Sequence, residues 1–183
     1  MQNDANVVHL TRVASEPSPN AGAGRLPVIL VQVRDKAALQ LKQALQAFFQ
    51  NRLDPNEHPY FEEIRHLTVS AHFLIERDGA ITQFVSCHDR AWHAGVSCFD
   101  GREACNDFSL GIELEGTDTE PYTDAQYTAL VGLTRLLRAA FPAITPERIQ
   151  GHCDIAPERK TDPGEAFDWS RYRAGLTDSK EET

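Results

Sequence analysis

Residues 108–115 read FSLGIELE, and the fold follows from this stretch. Leu110, Ile112 and Leu114 alternate with Gly111, Glu113 and Glu115, the period-two pattern of a strand with one face on a core. Downstream, Thr123 and Gln126 make a capping box. Tyr127, Leu130, Val131, Leu133, Leu137 and Phe141 give the helix that follows an apolar side, and Pro142 ends it. Upstream, 69–76 (VSAHFLIE) and 80–85 flank Arg77-Asp78-Gly79 and read as a β-hairpin, because Asp-Gly permits the positive φ of a tight turn. Val69, Ala71, Phe73 and Ile75 are expected on one face of it, and Ser70, His72 and Leu74 on the other. Residues 27–33 (PVILVQV) suit a buried strand, 36–52 an amphipathic helix, 53–63 a proline-broken loop, and 149–168 a polar loop. The sum is an α/β fold: a single domain, 27–173, with a central mixed β-sheet flanked by helices. A flexible N-terminal tail, 1–26, and a polar C-terminal tail, 174–183, are expected around it.

The 183 residues are 41% hydrophobic and 25% charged, enough apolar content for one soluble domain with a full core. No apolar run nears the ~20 residues of a membrane span, and residues 1–24 lack the basic start and apolar stretch of a secretory signal. A cytoplasmic monomer with no membrane partner is expected. The net charge of -9 and the lack of a basic stripe argue against nucleic acid. Cys87, Cys98, Cys105 and Cys153 form no C-x-x-C pair, so free thiols are expected.

Chemistry concentrates in 151–164, GHCDIAPERKTDPG. Imidazole and carboxylate both ligate zinc, and a loop can fold His152 and Asp162 onto one ion; the competing reading is a set of solvated loop charges. Glu113 is a second candidate. A carboxylate in a partly apolar cleft has its pKa raised toward that of a general base, whereas on an open strand Glu113 and Glu115 simply face water. Trp92 and His93 could line a sugar groove, although a packed Trp and a satisfied core His are the simpler reading. Cys153 beside His152 admits a cysteine hydrolase, against the simpler reading of a small buried thiol.

HLTVSAHFLIERDG, RAWHAGVS, NDFSLGIELEGTDT, YTDAQY, GHCDIAPERKTDPG and FDW, in this order, resemble the type-2 N-acetylmuramoyl-L-alanine amidases. Within them the likeness is greatest to the cytoplasmic 1,6-anhydro-N-acetylmuramyl-L-alanine amidases of cell-wall recycling, and it covers 51–173. The resemblance implies zinc-dependent hydrolysis of the amide between the lactyl group of the muramic sugar and L-alanine, with an anhydro-muropeptide as substrate. It implies His152 and Asp162 as two of three Zn²⁺ ligands, Glu113 as catalytic base and Lys160 as oxyanion stabiliser. Trp92, His93 and Arg159 are implied along the substrate groove, Arg159 toward a stem-peptide carboxylate.

One stretch departs from the family. Its first zinc ligand is a His ending the first strand, followed by a Pro-Pro-Gly loop. Here the matching position is Val31 or Gln32, and RDKAALQLKQALQ replaces the loop. The likeness resumes at Ala47-Phe48-Phe49 and Leu53-Asp54-Pro55. Three accounts fit: His58 or His66 completes the set, the protein is a degenerate muropeptide binder, or 31–46 carries a shifted reading frame.

Overall fold

The structure, a computed structural model, describes residues 13–15, 22–23, 28–34, 47, 52, 54, 56 and 69–177. The chain runs β1 (Val13–Ser15), β2 (Gly22–Ala23), β3 (Val28–Arg34), β4 (Phe73–Ile75), β5 (Ile81–Gln83), β6 (Asp89–Arg90), β7 (Cys98–Phe99), β8 (Arg102–Glu103), β9 (Ser109–Glu115), α1 (Asp124–Ala140), β10 (Ile149–Gly151), α2 (His152–Ile155) and α3 (Trp169–Thr177). The central sheet has the order β1-β5-β4-β9-β3-β10. β4 and β5 pair antiparallel and the other neighbours pair parallel, so the sheet is mixed, as the sequence predicts.

The alternation of β9 is realised: Leu110, Ile112 and Leu114 are buried in the main core with Phe73, Ile75 and Ile81. Helix α1 covers that face. Its N-cap Thr123 accepts from the Gln126 N–H and the Gln126 side chain reaches back, the full capping box. Tyr127, Leu130, Leu133 and Leu137 then enter the core. Helix α3 packs on α1, where Thr134 Oγ1 and the Tyr172 hydroxyl lie 2.7 Å apart. Gly175 allows the approach, because a Cβ there would come 2.7 Å from Val131.

Four expectations are corrected. The hairpin's two faces do not alternate throughout: Val69 and Ala71 pack with Leu74, Phe84 and Val85 in a second cluster, not with Phe73 and Ile75. The chain bends at His72, which resets the alternation before β4 begins. The stretch 149–168 is not all loop, since β10 pairs with β3 and α2 follows at once. The N-terminal tail contributes β1, paired with β5, and β2, paired with β6. Helix α3 runs through Thr177, past the boundary expected at 173, because Leu176 is buried in the main core. The helix expected over 36–52 and the loop over 53–63 lie largely outside the described residues; Ala47 is helical and Asn56 sits in a turn. All four cysteines are free. Among the described residues, no helix is long and apolar enough to cross a membrane.

Candidate functional site

The backbone bonds of 151–164 explain how the polar loop closes on itself. β10 ends at Gly151, whose N–H donates to the Asp154 carboxylate at 2.8 Å as α2 begins. The Ala156 carbonyl accepts from the Arg159 and Lys160 N–H groups at 3.0 and 2.9 Å, which reverses the chain. The Cys153 N–H then donates to the Asp162 carbonyl at 2.9 Å. Residues far apart in the loop thus meet: Asp162 Oδ2 lies 3.0 Å from His152 Nδ1. His152 is 3% exposed and Asp162 8%, so neither is a solvated loop charge.

The second nitrogen of His152, Nε2, is 3.1 Å from the Ala94 carbonyl oxygen. A carbonyl can only accept, but Arg159 Nη2, which can only donate, lies 3.3 Å from the same Nε2, so the two contacts ask for opposite tautomers of His152. Nδ1 faces a carboxylate oxygen, to which it donates when it carries the ring proton and beside which it can ligate a metal ion when it does not. Arg159 Nη2 donates to the same Ala94 carbonyl at 2.6 Å. Burial alone would raise the pKa of Asp162, but its bond with His152 and the charges of His152 and Lys160 outweigh burial and hold it below the ordinary carboxylate value.

The fit to zinc is partial. Tetrahedral zinc with bonds of about 2.0–2.1 Å sets neighbouring donors roughly 3.3 Å apart, near the 3.0 Å between Nδ1 and Oδ2. With the ring proton on Nε2, the Ala94 carbonyl would be the outer contact that orients His152 and leaves Nδ1 for a metal. Among the described residues, however, no cluster of three or more His, Cys, Asp and Glu able to hold a metal forms. Two donors fit, one short of the usual hydrolytic zinc site.

Glu113 is 4% exposed, so the reading in which this face of β9 meets water fails. Glu115 is also engaged, its Oε2 accepting the Arg77 N–H at 2.9 Å. The sheet sets Glu113 relative to the loop through β3. Gln32 is in register with Glu113, while Val31 is in register with Ile112 on one side and Gly151 on the other. β10 ends at Gly151 and His152 opens α2, so Glu113 is in register with position 32 while His152 directly follows the neighbouring Val31–Gly151 pair. Of the two positions open in the sequence, 32 is the one aligned with the site. Lys160 is half-buried, and its charge acts on Asp162.

Trp92 and Arg159 line a cleft of about 820 Å³ together with Arg90, Val96, Asn106 and Ile155. Trp92 is 43% exposed and the Arg90 guanidinium lies 3.5 Å from its ring centroid, so it is an open aromatic wall, not a packed core residue. Arg159 Nε and Nη2 donate to the carbonyls of Val96 and Ala94 at 3.2 and 2.6 Å, so part of its fork is already committed to the rim. His93 does not line this cleft. Its ring lies on Gly111, where an added Cβ would come 2.5 Å from it. Burial first, then the charges of His72 and His152, hold its pKa well below the ordinary histidine value. The sequence reading passed over His72, Asn106 and Gly111. A glycine inside a strand otherwise rich in apolar residues is the signal that could have found the last, since it marks close approach of another group.

Comparison with known proteins shows the family of the chain. The family model described as N-acetylmuramoyl-L-alanine amidase (Amidase_2) matches residues 38–165, beginning beyond β3. The 1,6-anhydro-N-acetylmuramyl-L-alanine amidase AmpD of Haemophilus influenzae is 62% identical over 129 residues, covering 70% of this chain and 70% of that protein. A crystal structure of a selenomethionine AmpD derivative superposes with a TM-score of 0.84 at 46% identity, covering 97% of this chain and 99% of that one. AmpDh3 from Pseudomonas aeruginosa, solved in complex with an anhydromuramic pentapeptide, gives 0.64 at 25% identity, covering 93% of this chain and 66% of that one.

Proposed function

Because this chain belongs to the N-acetylmuramoyl-L-alanine amidase family, we propose that it hydrolyses the amide between the lactyl group of 1,6-anhydro-N-acetylmuramic acid and L-alanine in muropeptides. The observation that carries this reading is the register of Glu113 with position 32, beside the Val31–Gly151 pair that His152 follows, with Asp162 held against His152. His152 and Asp162 are the residues that would hold zinc, whose chemistry is to acidify a water and polarise the amide carbonyl. Glu113, buried and carrying only acceptor oxygens when ionised, takes the proton of the attacking water. Lys160 places positive charge where the oxyanion develops. Trp92 offers its exposed face to the sugar, and Arg159 supplies its remaining donors to a stem-peptide carboxylate. We infer a monomeric, cytoplasmic recycling enzyme without nucleic-acid or membrane partners; recovery mainly from periplasm or membranes would contradict the location.

A second reading, a muropeptide-binding protein without catalysis, draws on the two-donor metal site. Incubation of the full chain with zinc and anhydro-muropeptide, followed by mass spectrometry for the freed peptide, separates the two. Release of peptide is expected, slowed roughly a hundredfold or more in Glu113→Gln. Calorimetric binding without release would replace the enzyme by the binding module. Undiminished turnover in a folded Glu113→Gln variant would remove Glu113 from its role.

A further inference from the structure

His72 is fully buried and takes part in no step above. The Gly111 N–H donates to its Nδ1 at 3.0 Å. An amide N–H can only donate, so Nδ1 carries the lone pair and the ring proton sits on Nε2. That proton is given to the Asp89 carbonyl, 3.1 Å away. The His72 backbone N–H donates to the Gly111 carbonyl at 3.0 Å. One residue therefore satisfies both polar groups of Gly111, its imidazole standing in for a ladder carbonyl where the chain bends.

Gly111 is also the seat of His93, and the two rings meet edge to face with centroids 5.6 Å apart at 74°. His93 Nε2 is 3.4 Å from Ser109 Oγ, and that hydroxyl donates to the Cys105 carbonyl at 2.6 Å. The hydroxyl's proton being committed, its oxygen accepts, and His93 too carries its proton on Nε2. The backbone of His93 and of the residue after it is held by Asn106. Asn106 Oδ1 takes the N–H groups of His93 and Ala94 at 2.9 and 2.7 Å, and the Ala94 carbonyl in turn meets His152 Nε2 at 3.1 Å.

We propose that His72 and His93 clamp Gly111 between them to fix the Ala94 carbonyl, and that His93 is thereby a positioning residue for His152 and not a substrate contact. The proposal rests on the reading of His152 and Asp162 as the working pair. Nothing in it requires either clamp imidazole to titrate or to touch the muropeptide.

The test uses the full chain, metal-stripped and without substrate, in histidine ring ¹H–¹⁵N correlation spectra. His72 and His93 are expected as neutral Nε2–H tautomers at about pH 7. In His93→Phe, which keeps a flat ring and loses the donor, the His152 ring nitrogens are expected to shift. Turnover should then fall roughly 10–100-fold, as for other lost outer contacts, with KM within about twofold. An Nδ1–H tautomer or an imidazolium at His93 in the unmodified chain overturns the proposal whether or not the variant folds. So do His152 signals in His93→Phe that superimpose on the parent's, or a rise in KM at constant kcat. Absence of turnover in the parent would count against the amidase reading alone, because the spectra decide the clamp without it.

Discussion

Gln32→His is the substitution from which the metal site has most to gain. Position 32 is in register with Glu113, the proposed base, and one residue beyond the Val31–Gly151 pair that His152 follows. An amide side chain is a weak, neutral donor for zinc, whereas imidazole is a preferred one. Four-ligand zinc peptides bind with about 10–16 kcal/mol, or roughly 2.5–4 kcal/mol per ligand. At ~1.4 kcal/mol per tenfold, the third ligand should raise zinc affinity by roughly 10²–10³. Val31→His is the control, since position 31 is in register with Ile112 in the main core and should bring no such gain. Competition against a chelating dye on metal-stripped protein measures both variants beside the parent. Tight, stoichiometric zinc in the unmodified chain would refute the reasoning and point to His58 or His66, which alanine replacements would distinguish. An equal gain in Val31→His would refute the register argument itself.

Two further outcomes follow from the core. Burial lowers the His72 pKa from 6.5 to about 4, so the unfolded state binds the extra proton first as pH falls. The stabilisation is therefore complete above about pH 6.5 and is lost progressively toward pH 4, by up to about 3 kcal/mol at ~1.4 kcal/mol per pH unit; a flat urea unfolding free energy between pH 7 and 4.5 would contradict this. Leu176→Ala removes a buried anchor of α3 and should cost about 2–5 kcal/mol in the same assay; a negligible loss would show that α3 contributes nothing to the cooperative core.

The fold was legible wherever one element carries its own pattern. β9 alternates because one face meets α1, and α1 is announced by its capping box and apolar side. Legibility failed where pairing comes from distant chain. β1 and β10 are three residues each, too short for any period, and exist because β5 and β3 offer them free edges. Helix α3 was missed for a related reason. In its sequence, WSRYRAGLT, only Tyr172 and Leu176 are buried, so packing on α1 and not its own periodicity sets its length.

The site divides along the same line. Glu113 was visible as a candidate, but an alternating strand cannot say which of its faces is open, and here the face opposite the main core is covered too. Leu74, the register partner of Glu113 on β4, lies in the second cluster, and His93 lies on Gly111 two positions before it. The approach of His152 to Asp162 depends on a chain reversal at Ala156 made by backbone bonds, which side-chain identity does not encode. Least legible of all is the Ala94 carbonyl, a main-chain atom of a residue with no chemistry of its own. It nevertheless meets both His152 Nε2 and Arg159 Nη2. A change at Asn106 would therefore reach His152 through the N–H and the carbonyl of Ala94, although Asn106 has no proton to move at neutral pH.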